Sequence, residues 1–439
     1  MSARIVFVII NILNLIWRWV RMYIAKVQRL RPLPEEIDDI YDKDRYQMFL
    51  DYEADTDRLF FYRRLIDCIV DTAFILSPVF QRIEQIAGQN VYLIVAVTLL
   101  MYTFLNLAIE IPFDYYDTFT IAEKYKLNKQ TRKTFVKDTI SETVFNTITA
   151  FGVLELITYL SHGLSSVSTK SHMSYTKSFF VALLVFAVVF VIILAIAFTS
   201  ILLMHIKYKY TPLEEGDLRD KINYLQRDAK KKVRRISVYD ESSKSIEKNA
   251  YLLRFLFYRE FGIADNFINE NSERELLAVL SHEVGHLKHK KKPLDYARYL
   301  LYPILFFCIW YTLAMPMPSP GDSFLEKWIM ESFQITVPNY FLLVTLVIGL
   351  GQPVMALVGI IRNYRQRQEE YEADQEAVKN GYGEDMIKIF KEESNDELID
   401  INPHPIMVVL YHSHPTMYQR IVAIRSEISR MESGREKEE

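Results

Sequence analysis

Residues 179–206 read FFVALLVFAVVFVIILAIAFTSILLMHI, without one Asp, Glu, Lys or Arg. The run exceeds the ~20 residues that a helix needs to cross a bilayer. Inside a bilayer a helix satisfies its own backbone, so this run makes the chain a membrane protein. Comparable runs lie at 5–24, 65–80, 91–113, 144–160, 299–317 and 340–361. Seven spans are expected. The run at 65–80 is the most polar, with Asp67 and Asp71 four apart on one helical face. A carboxylate at membrane depth faces a cavity or a partner, and Arg63 and Arg64 stand ready as partners. The first run lacks a small-residue cleavage site, and Arg18 and Arg21 follow its apolar part directly. It reads as a retained signal anchor.

Seven spans put loops 27–64, 114–142, 207–298 and the C-terminal tail on one side. That side carries Arg29, Arg31, Lys43, Lys124, Lys129 and the basic runs at 230–232, 290–292 and 362–367. The other side carries little beyond Arg82, Lys170 and Lys327. Positive charge collects on the cytosolic side, so the first set is expected to be cytosolic. Dropping any one span scatters the basic loops over both sides. Half of the residues are hydrophobic and 24% are charged, which fits a membrane bundle with sizeable polar parts. The net charge of -3 gives no nucleic-acid signal, and none is expected as a partner. The run AKKKVRR (229–235) reads as a solvated face beside the membrane. Cys68 and Cys308 both lie in apolar stretches, so neither a disulfide framework nor a Cys-type metal site is expected.

In the polar segment 207–298, RISVY (235–239) alternates like a strand, NAYLLRFLF (249–257) reads as a second, and a third is expected near 261–263. Ser272 and Glu275 form a Ser-x-x-Glu capping box, so a helix starts at about Ser272. It leads into SHEVGHLKH (281–289). His282 and His286 are four apart on one helical face and can share one ion, while Glu283 reaches a neighbouring water without taking a ligand place. Three protein ligands, an open position and a nearby base suit metal-assisted hydrolysis. A third His at 292 would extend the motif, but that residue is Lys292. The run RQRQEEYEADQEAVKNG (365–381) supplies carboxylates instead. Glu370 and Asp374 lie four apart; one can bind the metal while the other holds a ligating His. Spacing alone leaves Glu369 and Glu370 open. Glu369, Glu372 and Glu376 are expected to be solvated, and His289 to be a surface residue. His414 and Arg420 can stabilise an oxyanion or hold a carboxylate. His162, His172 and His205 show no partner in the sequence.

With these motifs the chain resembles the type I CAAX prenyl proteases, seven-span membrane zinc endopeptidases. The resemblance rests on the His-Glu-x-x-His helix at 279–288, on RQEEYEAD (367–374) and on Asn249-Ala250-Tyr251. Ser413-His414-Pro415 with Arg420 and the loop IAEKYKLNKQTRKTFVKD (121–138) extend it. It implies a mainly α polytopic fold, with seven helices around a water-filled chamber and a small α+β zinc-peptidase domain on the cytosolic side. It implies one Zn²⁺ per chain on His282, His286 and Glu370, with Asp374 behind them. Glu283, His414 and Arg420 would be catalytic, and Asn249, Ala250 and Tyr251 would line the substrate cleft. The layout would be spans one to five with their loops in 1–206, the motif part in 207–298, spans six and seven in 299–361, and the third ligand's part in 362–439. The expected activity is hydrolysis near the C-terminus of prenylated or other membrane-associated proteins, by a monomer in contact with membrane lipid. Alternatives are a quality-control protease for misfolded membrane proteins and a non-catalytic scaffold with a structural zinc. The tail GREKEE has no dilysine signal, which points to a bacterial plasma membrane with the site facing the cytosol rather than to the endoplasmic reticulum of a eukaryote.

Overall fold

The computed structural model describes residues 1–171, 207–230, 232–255, 258–289 and 324–435, with isolated positions (183, 187, 190, 191, 204, 205 and 304) between them. The expected fifth and sixth spans, His172, Cys308 and the 290–292 run lie essentially outside the described residues.

Helices α1 (Ala3–Arg29), α2 (Lys43–Leu76), α3 (Val79–Ala87), α4 (Val91–Tyr116) and α5 (Arg132–Ser171) form the first part of the chain. Among the described residues four helices are long and apolar enough to cross a membrane: Ala3–Arg29, Val91–Ala122, Arg132–Tyr159 and Tyr340–Lys379. They coincide with expected spans one, three, four and seven. The expected second span needs correction. Its helix stops at Leu76, because Pro78 forces Ser77 into an extended conformation, and Phe80 belongs to α3. Within α2, Asp67 pairs with Arg64 at 3.0 Å, whereas Asp71 is hydrogen-bonded by Tyr102. The start of α1 is held by the end of α2 and by the end of the helix Phe324–Phe333. Ala3 N–H donates to Ser332 Oγ at 2.8 Å, and Arg4 donates to the carbonyls of Leu76 and Phe333.

The polar part holds β1 (Tyr210–Pro212), α6 (Asp217–Leu225), β2 (Arg235–Tyr239), β3 (Ala250–Phe255), β4 (Tyr258–Ala264), α7 (Asp265–Glu270) and α8 (Glu273–Lys288). The sheet order is β1-β2-β4-β3, with β2 and β4 parallel and the other pairs antiparallel. β3 is therefore an edge strand. β1 has only three residues, too few to show alternation in the sequence. Ile236, Phe261 and Ile263 on one sheet face pack with Leu276, Leu277, Leu280 and Val284 of α8. The opposite face carries Glu260, which is buried. His205 Nε2 lies 2.9 Å from its carboxylate, and Ser237 Oγ donates to it at 2.5 Å. His205 thus has the partner that the sequence did not show.

The C-terminal part holds α9 (Phe324–Phe333), α10 (Tyr340–Lys379), α11 (Gly383–Glu397), α12 (Pro405–Tyr411) and α13 (Met417–Arg435). Forty residues make α10 about 60 Å long, so one helix carries both an apolar span and the acidic run beyond it. That second half lies against α8 at close range. A Cβ on Gly285 would stand 2.6 Å from Ala373 Cα. Gly285→Ala is expected to cost about 1–3 kcal/mol by overpacking. A melting temperature in detergent equal to that of the unsubstituted protein would contradict so close a helix contact.

Candidate metal and peptidase site

The capping box foreseen in the sequence is present. Ser272 Oγ accepts from Glu275 N–H, and the Glu275 carboxylate accepts from Ser272 N–H. It sets the phase of α8, so that His282 and His286 turn towards α10. Their rings meet edge to face with centroids 4.8 Å apart. Across from them, Glu370 reaches both rings: Oε2 lies 3.4 Å from His282 Nε2, and Oε1 lies 3.4 Å from His286 Nε2. Between the candidates left open by spacing, Glu370 is the one that faces the histidines. One turn on, Asp374 Oδ1 lies 2.8 Å from His282 Nδ1. A proton held there on Nδ1 leaves the Nε2 lone pair aimed at the Glu370 side.

Arg420 clamps Asp374 from behind. Its Nε donates to Oδ2 at 2.9 Å and its Nη2 to Oδ1 at 2.6 Å. Arg420 is buried and stacks on Phe390, so it holds a carboxylate and does not open on the cleft. His414 stands at the mouth. Its side chain is 65% exposed, with Nε2 3.4 Å from Glu370 Oε1. Glu283 takes a backbone hydrogen bond from Leu252 of β3, and Arg254 Nη1 donates to the His286 carbonyl at 2.7 Å. These contacts bring the edge strand to the motif helix.

The strand residues divide. The Leu252 N–H turns to Glu283 and so away from β4. Alternation along an antiparallel strand then gives the free edge to the backbones of Ala250 and Leu252. Tyr251 bonds towards β4 opposite Gly262, and its hydroxyl meets Tyr210 at 2.7 Å on the far face. Asn249 accepts the Ala264 N–H through its carbonyl. The sequence missed Leu252, because a backbone donor leaves no mark on residue type. Three surface expectations are corrected. The His289 ring is buried against α10, with Nδ1 2.5 Å from Glu372 Oε2, and the Glu369 side chain is only 12% exposed. Glu376 pairs with Lys288 at 2.6 Å. These side chains line the α8–α10 seam, which spacing within a single helix cannot reveal.

Residues 23–204 match the CAAX prenyl protease N-terminal family, described as five membrane helices. Residues 212–428 match peptidase family M48. The chain belongs to peptidase family M48. A CAAX prenyl protease 1 homolog of Arabidopsis thaliana is 23% identical over 411 residues, covering 91% of this chain and 92% of that protein. CAAX prenyl protease 1 of Saccharomyces cerevisiae is 26% identical over 333 residues, 73% of this chain and 69% of its own. The crystal structure of S. mikatae Ste24p shares the fold, with a TM-score of 0.75 at 20% identity, covering 96% of this chain and 98% of that one. The chain is thus an integral-membrane metallopeptidase, mainly helical, of the family its motifs resemble.

The donor set fits a metal of the zinc type. Ligands 2.0–2.1 Å from one tetrahedral ion lie roughly 3.3–3.4 Å apart. The two His–Glu370 separations are both 3.4 Å, one to each carboxylate oxygen, so the Glu370 carboxylate lies within ligand range of both rings. Ligand atoms of His282, Glu283 and His286 also lie within 4.8 Å of one another, so two carboxylates flank the pair. Their surroundings differ. Burial alone would raise Glu370, but His282, Arg420 and His286 hold it down at about 2. Burial pushes Glu283 up to about 6. Burial alone would lower His282, yet Asp374 and Glu370 raise it to about 9; burial and the charge on His282 push His286 down to about 4. Despite its burial, Asp374 is held well below the usual carboxylate range by Arg420.

Proposed function

We propose that this metallopeptidase is a zinc endopeptidase that cuts near the C-terminus of prenylated or other membrane-associated proteins. The observation that carries it is the Glu370 carboxylate at equal 3.4 Å reach of His282 and His286, with Glu283 beside them on the substrate edge. His282, His286 and Glu370 would hold one Zn²⁺. A bound Zn²⁺ supplies a Lewis acid and makes a water nucleophilic near neutral pH. Glu283 takes the proton of the attacking water and passes it to the leaving amine. His414 donates to the carbonyl oxygen as it gains charge. Asp374 and Arg420 keep the His282 ring in orientation and touch no substrate. The peptide lies as an added strand on the free edge at Ala250 and Leu252. A structural zinc needs a fourth protein ligand. Of the two histidines that could complete such a set, His289 is engaged with Glu372, and His414, 65% exposed with Nε2 3.4 Å from Glu370 Oε1, is read as the oxyanion donor; metal content unchanged in His414→Ala separates that reading from a fourth ligand.

We place the site on the cytosolic side by the basic loops, in a bacterial plasma membrane or a eukaryotic endoplasmic reticulum. The working units are the spans of 1–206 and 299–361 and the cytosolic segments 207–298 and 362–439, acting as a monomer among membrane lipids. The prenyl group enters because the plant and yeast relatives are named CAAX prenyl proteases. The test uses the purified full-length protein and one C-terminal peptide, with and without a farnesyl thioether. Cleavage of the farnesylated peptide with higher kcat/KM is expected. Equal cleavage of both leaves a peptidase that does not read the lipid, and cleavage of neither overturns the proposal.

A further inference from the structure

His414 poses a positioning problem. Its side chain is 65% exposed, so packing does not hold it over Glu370. On its other side the ring meets the hydroxyl of its neighbour, Ser413 Oγ, 3.0 Å from Nδ1. The ring goes where the backbone of the loop between α12 and α13 puts it. That loop follows a helix of seven residues; the His412 N–H caps the Val408 carbonyl, and the carbonyls after it lie beyond the last backbone donor of the helix.

Side chains of α10 donate to the carbonyls at this end. Arg367 Nη1 donates to the Val408 carbonyl at 2.9 Å and to the His412 carbonyl at 2.6 Å. Asn363, one turn earlier, donates to the Leu410 carbonyl at 3.3 Å. Arg367 is buried, and among the described residues no carboxylate pairs with it. Its charge meets the negative end of α12. Seven residues on, Asp374 binds Arg420 and pins the start of α13. One face of α10 therefore reads Arg367, Glu370, Asp374: an anchor for the loop's entry, the carboxylate under His414, and an anchor for its exit.

We infer that Arg367 is a positioning residue that sets His414 over the Glu370 carboxylate by gripping the carbonyls of Val408 and His412. The inference rests on the reading of His414 as oxyanion donor. It assigns a task to the one charged residue of RQEEYEAD that neither holds a metal, braces a ligand nor lines the α8–α10 seam.

The test is a double-mutant cycle in the full-length protein, with kcat and KM for the cleaved peptide, bound metal and melting temperature as readouts. His414→Ala is expected to lower kcat on the order of 10²-fold with metal content unchanged, the usual effect of losing one oxyanion donor. Arg367→Met keeps the stem but removes the donors, and is expected to lower kcat by a similar order with KM changed little. The double variant should lie within about threefold of His414→Ala alone, because both remove one interaction. Arg367→Lys retains hydrogens for both carbonyls and should recover part of the loss. Losses that multiply in the double variant overturn the inference, as does an Arg367→Met enzyme with full kcat. Full activity in His414→Ala overturns the reading of His414 itself. If Arg367→Met does not fold, Arg367→Lys closes the same cycle with His414→Ala.

Discussion

Glu283→Gln is expected to leave a folded protein that binds metal as before and has lost peptidase activity on the order of 10²–10⁴-fold, the range for a general base. The amide matches the carboxylate in shape and can still accept the Leu252 N–H. It cannot take a proton at neutral pH. Metal should stay because His282, His286 and Glu370 are untouched, and the Glu370 carboxylate already lies 3.4 Å from each ring. The variant also decides between the two carboxylates near the histidines. If Glu283 were the ligand and Glu370 the base, Glu283→Gln would lose metal and Glu370→Gln would keep it. The pH profile gives a second check. A base must be ionised, so activity falls as pH drops through its pKa. Burial raises Glu283 to about 6 against the lowering pull of His282 and Arg254, and a divalent cation favours the anion further. The acid limb should therefore lie at or below about 6 and vanish in the residual activity of Glu283→Gln.

The local signals in the sequence were read well where one element sufficed. The Ser272–Glu275 box starts α8, and RISVY is β2 residue for residue. Pairs on a helical face put His282 with His286, and Glu370 with Asp374. What escaped was set between elements. Four glutamates crowd the acidic run, and the facing helix decides that Glu370 meets the histidines while Glu369 turns to His289. The same seam buries His289, which looks like a surface residue on α8 alone. Backbone donors and acceptors were invisible: the Leu252 N–H on Glu283 and the α12 carbonyls on Arg367 follow from strand register and helix ends. The second span was overextended because its apolar tally ran past Ser77–Pro78, where backbone geometry and not hydropathy ends the helix.

Asp374→Ala is expected to damage the fold and the site together, and the two effects can be separated. Asp374 is the carboxylate that Arg420 grips with two nitrogens, and both side chains are buried. Removing it leaves a guanidinium without its main counter-charge away from water, at a cost of about 3–5 kcal/mol. The unfolding transition should shift accordingly. The second effect runs through His282. Without Asp374 Oδ1 at 2.8 Å, the ring loses the acceptor that fixes its Nδ1 proton and its orientation. Loss of such a partner typically lowers metal affinity or activity by about 10–100-fold. A second substitution separates the two: Asp374→Ala with Arg420→Met removes the stranded charge and fills its space with an apolar chain of similar length against Phe390. Much of the stability should return, since replacing both partners of a buried pair is far cheaper than removing one. Metal affinity should stay low, because His282 still lacks its acceptor. Metal affinity that recovered along with the melting temperature would mean that Asp374 serves the site only by holding α10 and α13 together.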